Sequence, residues 1–221
     1  MNITVLCSDA AHPVNAYLNA WVQEVSDSHN IIIVRTRAEL TSGDFLFLVS
    51  CSEIIKAEHR ENYRHTLVLH ASDLPKGRGW SPHVWEIIQG GEAITLSLLE
   101  AEDKVDTGRI WLKQLIPIKK TALWDEVNHL LFAAEINLMN EVLVRYDKIK
   151  PYQQDIEIEP TYHRKRTPED SRVDPGSSIA DQFDLIRMCD PDRYPAWFEM
   201  HGQKYKLVLE KMDNELSLIH I

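Results

Sequence analysis

Histidine is the side chain best suited to exchanging a proton near neutral pH, and ten occur in this chain. His70 stands apart because it closes the apolar run TLVLH (66–70) and precedes a polar segment, 71–79, punctuated by Pro and Gly. A histidine at the carboxyl end of a buried strand can face a crevice and serve as a general base. On its own, this observation fits a capped or buried histidine better. Asp106, in the turn VDTG (105–108), is by itself a turn-forming carboxylate. If it reached His70 it would set the imidazole tautomer and steady the imidazolium during proton transfer. His59, His65, His70 and His83 match no metal-ligand spacing, and Cys7, Cys51 and Cys189 are too scattered for a CxxC site, so no metal centre is expected. Neither GxGxxG nor GxxxxGK[ST] occurs, so no common nucleotide cofactor is indicated.

Positioning these groups requires a scaffold, and the first half of the chain alternates short apolar runs with amphipathic ones. Residues 3–7, 31–34, 45–50 and 66–70 read as strands, and 13–25 as a helix with Val14, Tyr17, Leu18 and Trp21 on one face. IIIV and FLFLVS are apolar throughout, as expected of parallel strands covered on both faces. An α/β sheet is the predicted architecture. Ser81-Pro82 reads as the N-cap and first turn of a helix over 83–89, closed by Gly90-Gly91. Strands are expected at 94–99 and 109–115, joined by the acidic loop 100–108, and a long helix at 121–146. Residues 150–176, polar and without apolar periodicity, read as an extended linker that wraps the first domain. A short helix at 178–188 and a strand pair turned at His201-Gly202 complete a small mixed C-terminal module. The expected organisation is a domain over 1–150, then a linker and module over 151–221. That module is expected to be cut short, because LSLIHI (216–221) can be encoded by a sequencing adapter and reads as an appended scar.

Composition narrows the function. The 221 residues are 44% hydrophobic and 26% charged, an ordinary globular balance. With 24 Lys and Arg against 34 Asp and Glu, the net charge of −10 lacks the cationic surplus of a general nucleic-acid binder. Three scattered cysteines fit a reducing cytoplasm, and neither a signal peptide nor an 18-residue apolar span is found, so a soluble, unexported protein is expected.

Residues 67–111 resemble the formyltransferase family that uses 10-formyltetrahydrofolate. The signature His-x-Ser-x-Leu-Pro, Arg-Gly, Pro and Asp-x-Gly is present in order as His70, Ser72, Leu74, Pro75, Arg78, Gly79, Pro82, Asp106 and Gly108. The resemblance implies a Rossmann-like, mostly parallel sheet and attack of a substrate amine on a formyl carbon. His70 would then take the amine proton or brace the tetrahedral intermediate, with Asp106 orienting it. It also implies that 47–54, including Val49, Ser50, Cys51 and Ile54, and the acidic loop with Glu102 and Asp103, form the walls that hold the pterin of the cosubstrate.

Two departures matter. The family carries an oxyanion-donating Asn two residues before the His, where this chain has Val68; losing such a donor costs about 10²–10³ in rate. The segment before His70 is also short, so one βα unit is expected to be reduced or lost. RKRTPED (164–170) and 183–206 resemble the nucleotide-sugar and tRNA branches, which nominates Arg164, Arg166 and Arg187 for phosphate contacts, beside Ser72, Arg78 and Gly79 at the substrate. Residues 160–221 hold nine Lys and Arg against eleven Asp and Glu, a poor surface for tRNA. An amino-sugar acceptor of bacterial surface-glycan synthesis is therefore preferred. A methionyl-tRNA formyltransferase-like enzyme and a non-catalytic relative lacking the Asn are the alternatives. The sugar branch further implies a homodimer through the C-terminal region.

Overall fold

The computed structural model describes residues 1–212; the proposed scar at 216–221 lies outside them. Among the described residues, ten short strands and five α-helices alternate along the chain. A six-stranded sheet is built from β1 (Asn2–Leu6), β2 (Asn30–Val34), β3 (Gly43–Leu48), β4 (Tyr63–His70), β6 (Ala93–Glu100) and β7 (Ile110–Pro117), in the order β2-β1-β3-β4-β6-β7. The first four are mutually parallel, whereas β6 runs antiparallel to β4 and β7 antiparallel to β6. The remaining two-strand pairs are β5 (Arg78–Gly79) with β8 (Tyr162–His163), and the hairpin β9 (Ala196–Met200) with β10 (Gln203–Leu207). That hairpin turns at His201-Gly202, both at positive φ, as a tight right-twisted connection requires.

One face of the sheet carries the main core. Ile3, Val5, Phe45, Phe47, Leu67, Leu69 and Leu96 point into it, against Leu18 and Trp21 of α1 (Val14–Val25) and Leu131 and Leu138 of α4 (Trp124–Arg145). Period-two alternation sends Leu6, Leu46, Leu48 and Val68 to the opposite face. This face is thinly covered, because the connection from β2 to β3 contains only a 3₁₀ turn, Arg37–Glu39, where a crossover helix would otherwise stand.

Two expectations are corrected. β2 is an edge strand, not a central one, and its Ile32 is 42% exposed. Ser81 precedes α3 (Pro82–Ile88) in the left-handed region (φ 46°) and makes no side-chain cap. Within the segment read as a linker, Tyr152 bridges to Ile110 and β8 pairs with β5, so it packs along the first domain.

Candidate active site

The alternation that buries Leu67 and Leu69 leaves Val68 and His70 on the other face, with His70 at the carboxyl end of β4, 7% exposed. The chain then folds back sharply: Ser97 Oγ on β6 donates to the Ser72 carbonyl at 2.8 Å, and Gly77 (φ 68°) passes so close that a Cβ would meet Ser72 Cβ at 2.8 Å. This return brings the Gly77 carbonyl to 2.9 Å from His70 Nε2.

Asp106 is buried and meets His70 from the turn between β6 and β7, with Oδ1 3.5 Å from Nδ1. Its Oδ2 accepts from the Gly79 N–H at 2.8 Å. Asp106 adopts φ 57°, and Gly108 is obligatory two residues on because a Cβ there would lie 1.9 Å from the Glu100 carbonyl oxygen. Both imidazole nitrogens thus face oxygen acceptors, a carbonyl and a carboxylate. A neutral ring has one N–H and can satisfy only one of them. To take a proton from an incoming amine, the ring must exchange one of these contacts for the substrate, as catalytic hydrogen bonds commonly tighten only around bound reactants.

The segment 152–163 closes over the pair. Thr161 Oγ1 accepts from the Gly77 N–H at 2.8 Å, and the Thr161 and His163 carbonyls accept from Arg78 and Trp80 N–H groups. Gln154, 8% exposed, donates through Nε2 to the carbonyls of Asp106 (2.8 Å) and Gly108 (3.0 Å), and its Oε1 accepts from Arg78 at 2.6 Å. Nothing in the local sequence marks Gln154 or Thr161 as part of a site.

Around this centre the structure places the nominated residues unevenly. Val49 is fully buried in the main core, so only its backbone could form part of a wall. Ser50 (φ 47°) and Ile54 are exposed, and Cys51 is half buried. Glu102 and Asp103 are exposed and line a cavity of about 330 Å³ together with Thr107, Gly108 and Gln153. A second cavity, of about 460 Å³, is bounded by Leu74, Ile110, Lys113 and Tyr152; neither is lined by His70 or Asp106. Arg60, not anticipated, links the residue that follows the 47–54 segment to the acidic loop, donating to the Ile55 carbonyl at 2.7 Å and to Asp103 at 2.8 Å.

On the substrate side, Ser72 Oγ is buried without a partner, and the Gly79 N–H is spent on Asp106. Arg78 is buried, its guanidinium committed to Gln154 and the Tyr162 hydroxyl, so it organises the site instead of contacting substrate. Arg187 is corrected likewise. Only 2% exposed, it binds Asp184 at 2.6 Å and the Ala122 carbonyl at 2.9 Å, anchoring α5 (Ile179–Arg187) to the segment before α4. Arg164 is exposed but pairs in two places with Asp170, and Arg166 donates to the Asp170 carbonyl and to Ser171.

Two further histidines approach the same edge. Burial pushes His12 and His83 down to about 4, Arg193 adding to the effect on His12, and His12, His70 and Arg166 adding to that on His83. Both rings are therefore neutral at pH 7. Among the described residues, no group of three or more His, Cys, Asp or Glu side chains could hold a metal, and no helix is long and apolar enough to cross a membrane.

Residues 36–143 match the family described as formyl transferase. The methionyl-tRNA formyltransferase of Ruegeria pomeroyi is 32% identical over 151 residues, which cover 66% of this chain and 48% of that protein. The chain spans about half the length of the curated relatives it matches. Methionyl-tRNA formyltransferase from Clostridium thermocellum superposes with a TM-score of 0.81 at 25% identity, covering 97% of this chain and 95% of that chain. A sugar N-formyltransferase from Shewanella sp. shares the fold, with a TM-score of 0.71 at 16% identity over 96% of this chain and 99% of that chain.

Proposed function

The chain belongs to the formyl transferase family through residues 36–143, and from that premise we propose that it moves a formyl group from 10-formyltetrahydrofolate to the amine of a small, nucleotide-linked amino sugar. The observation that carries the reading is the buried His70–Asp106 pair at the carboxyl edge of the parallel strands. The residues suit a flat, apolar-faced donor: Cys51, Val68 and Ala101 pack beside Leu48 and Ile55, and next to them Ile54 leaves 56% of its surface exposed. Bound there, the donor supplies an activated formyl carbon. His70 accepts the proton that the attacking amine loses, Asp106 holds the resulting imidazolium, and the proton passes to the tetrahydrofolate nitrogen as its bond to the formyl carbon breaks. Val68 offers no hydrogen bond to the developing oxyanion. The Ser72 hydroxyl, buried and unpartnered, is the group we propose in its place.

The acceptor is argued from charge. Six of the nine Lys and Arg after residue 159 are paired with carboxylates: Arg164, Arg172, Arg187, Arg193, Lys206 and Lys211. A polyanion is held by releasing counterions from many free cations, whereas a sugar phosphate needs one or two. The likeness to methionyl-tRNA formyltransferases favours the second reading, a tRNA-linked amine. We place the reaction in the cytoplasm. We also place a second copy of the chain on the aromatic face of the β9–β10 hairpin, where Phe198 stacks on Tyr205, and light scattering reads that state.

Incubating the protein with 10-formyltetrahydrofolate and a panel of amino-sugar nucleotides, beside charged initiator tRNA, decides between these acceptors by mass spectrometry. The expected product is one amino sugar heavier by a carbonyl group. Formylation of the tRNA alone would favour the second reading, and no formyl transfer to any acceptor would overturn the enzymatic one.

A further inference from the structure

We infer that Gln154 is a positioning residue for the His70–Asp106 pair; the inference rests on the transfer reading only for its kinetic consequence. The amide orientation is fixed by its partners. Turned over, Oε1 would face two carbonyl oxygens and Nε2 would face the Arg78 guanidinium, leaving no good contact. As placed, the two amide hydrogens grip the carbonyls of Asp106 and Gly108, bracketing Thr107, so one side chain clamps the turn. Asp106 needs such a clamp. It is a non-glycine residue at φ 57°, and from this backbone setting its carboxylate reaches both the His70 ring and the Gly79 N–H.

The other end of the amide strengthens the clamp. Arg78 is a buried cation with no carboxylate partner among the described residues, and its Nε finds no acceptor. Its guanidinium bonds to Gln154 Oε1 at 2.6 Å and draws electron density toward that oxygen. The polarised N–H groups at the far end then bind the turn carbonyls more strongly. Arg78 also immediately precedes Gly79, the donor to Asp106 Oδ2, so both sides of the carboxylate are set by one connected network. Gln154 itself is delivered by the mutual backbone pairing of Tyr152 and Ile110, at 2.8 and 3.0 Å. It touches no reacting atom and acts through Asp106.

Two variants of the full chain test this. Gln154→Met keeps the volume and loses all three bonds; Gln154→Glu keeps the acceptor for Arg78 and loses the paired donors, which protects the fold. The first readout is the ¹⁵N chemical shifts of the His70 ring in histidine-labelled protein, assigned with His70→Asn. A held ring gives distinct Nδ1 and Nε2 shifts in the native protein, and both variants are expected to move them toward free, averaging imidazole while the melting temperature of Gln154→Glu stays near that of the parent. The second is steady-state transfer to whichever acceptor the screen identifies. A misaimed acid–base pair lowers kcat about tenfold to a hundredfold, a larger change than that in KM for 10-formyltetrahydrofolate. Native ring shifts in Gln154→Glu, or an unchanged kcat, would overturn the inference. If the native protein transfers no formyl group, the functional reading fails, and the ring shifts still decide the role of Gln154.

Discussion

Replacing Asp106 by Asn separates orientation from packing at the His70 pair. The Asp106 Oδ2 position must remain an oxygen, because it accepts the Gly79 N–H at 2.8 Å. The new amide nitrogen therefore takes the Oδ1 position, 3.5 Å from His70 Nδ1, and donates to it. Nε2 must then carry the ring proton to meet the Gly77 carbonyl at 2.9 Å. His70 is left as a neutral tautomer whose lone pair is already covered, with nowhere to put the amine proton. General-base catalysis contributes about 10²–10⁴ in rate, so kcat should fall by that factor, a barrier increase of roughly 3–5 kcal/mol. The stability effect is much smaller. A charge-assisted bond to Gly79 becomes a neutral one, about 1 kcal/mol, or roughly 2–4 °C in melting temperature for a chain of this size. Tetrahydrofolate release at saturating donor and acceptor measures the first, and calorimetry the second. A variant retaining more than about a tenth of kcat would refute the assignment of Asp106 as the orienting group.

Val68 is half buried and touches Leu74, Leu99 and Ile110 as well as the secondary core. Val68→Asn should therefore lower stability by about 1–3 kcal/mol while leaving transfer unchanged or faster, because the added amide supplements the proposed Ser72 donor; a large loss of kcat would show that the site cannot accept a donor at that position. Burial raises the Glu135 carboxyl to about 8, with one oxygen unpartnered. The folded protein then binds a proton that the unfolded chain has released, and stability falls as pH rises from about 4.5 to about 8. Glu135→Met removes that loss, so its gain in melting temperature should grow from pH 5 to pH 8, and a gain equal at both would contradict the account. Gly108→Ala drives a Cβ against the Glu100 carbonyl oxygen and should abolish transfer by displacing the Asp106 turn; a fully active, normally melting variant would show that the turn relaxes freely.

The sheet was legible where local chemistry and topology agree. TLVLH and FLFLVS are buried strands in both sequence and structure, and His201-Gly202 turns the hairpin as its residue types require. IIIV was not legible in the same way. Edge or centre is decided by strand order, which depends on connections far along the chain, so four apolar residues in a row carry no record of it. Ser81-Pro82 has the composition of a helix start, yet the return of the chain past Gly79 holds Ser81 at positive φ and removes its capping geometry.

At the site, the motif located His70 and Asp106 but not the reason they meet. Arg78 and Arg187 carry a charge whose usual place is the surface, and sequence gives no sign that each is buried on main-chain carbonyls or an amide. Residues 153–161 lack periodicity because they belong to no regular element, and that same absence leaves their polar groups available. Gln154 and Thr161 are free to bond the turn and the return loop because the ladder of β8 claims only two residues. The segment that reads as a linker thus finishes the polar site, Gln154 and Thr161 with their side chains and Thr161 and His163 also with their carbonyls.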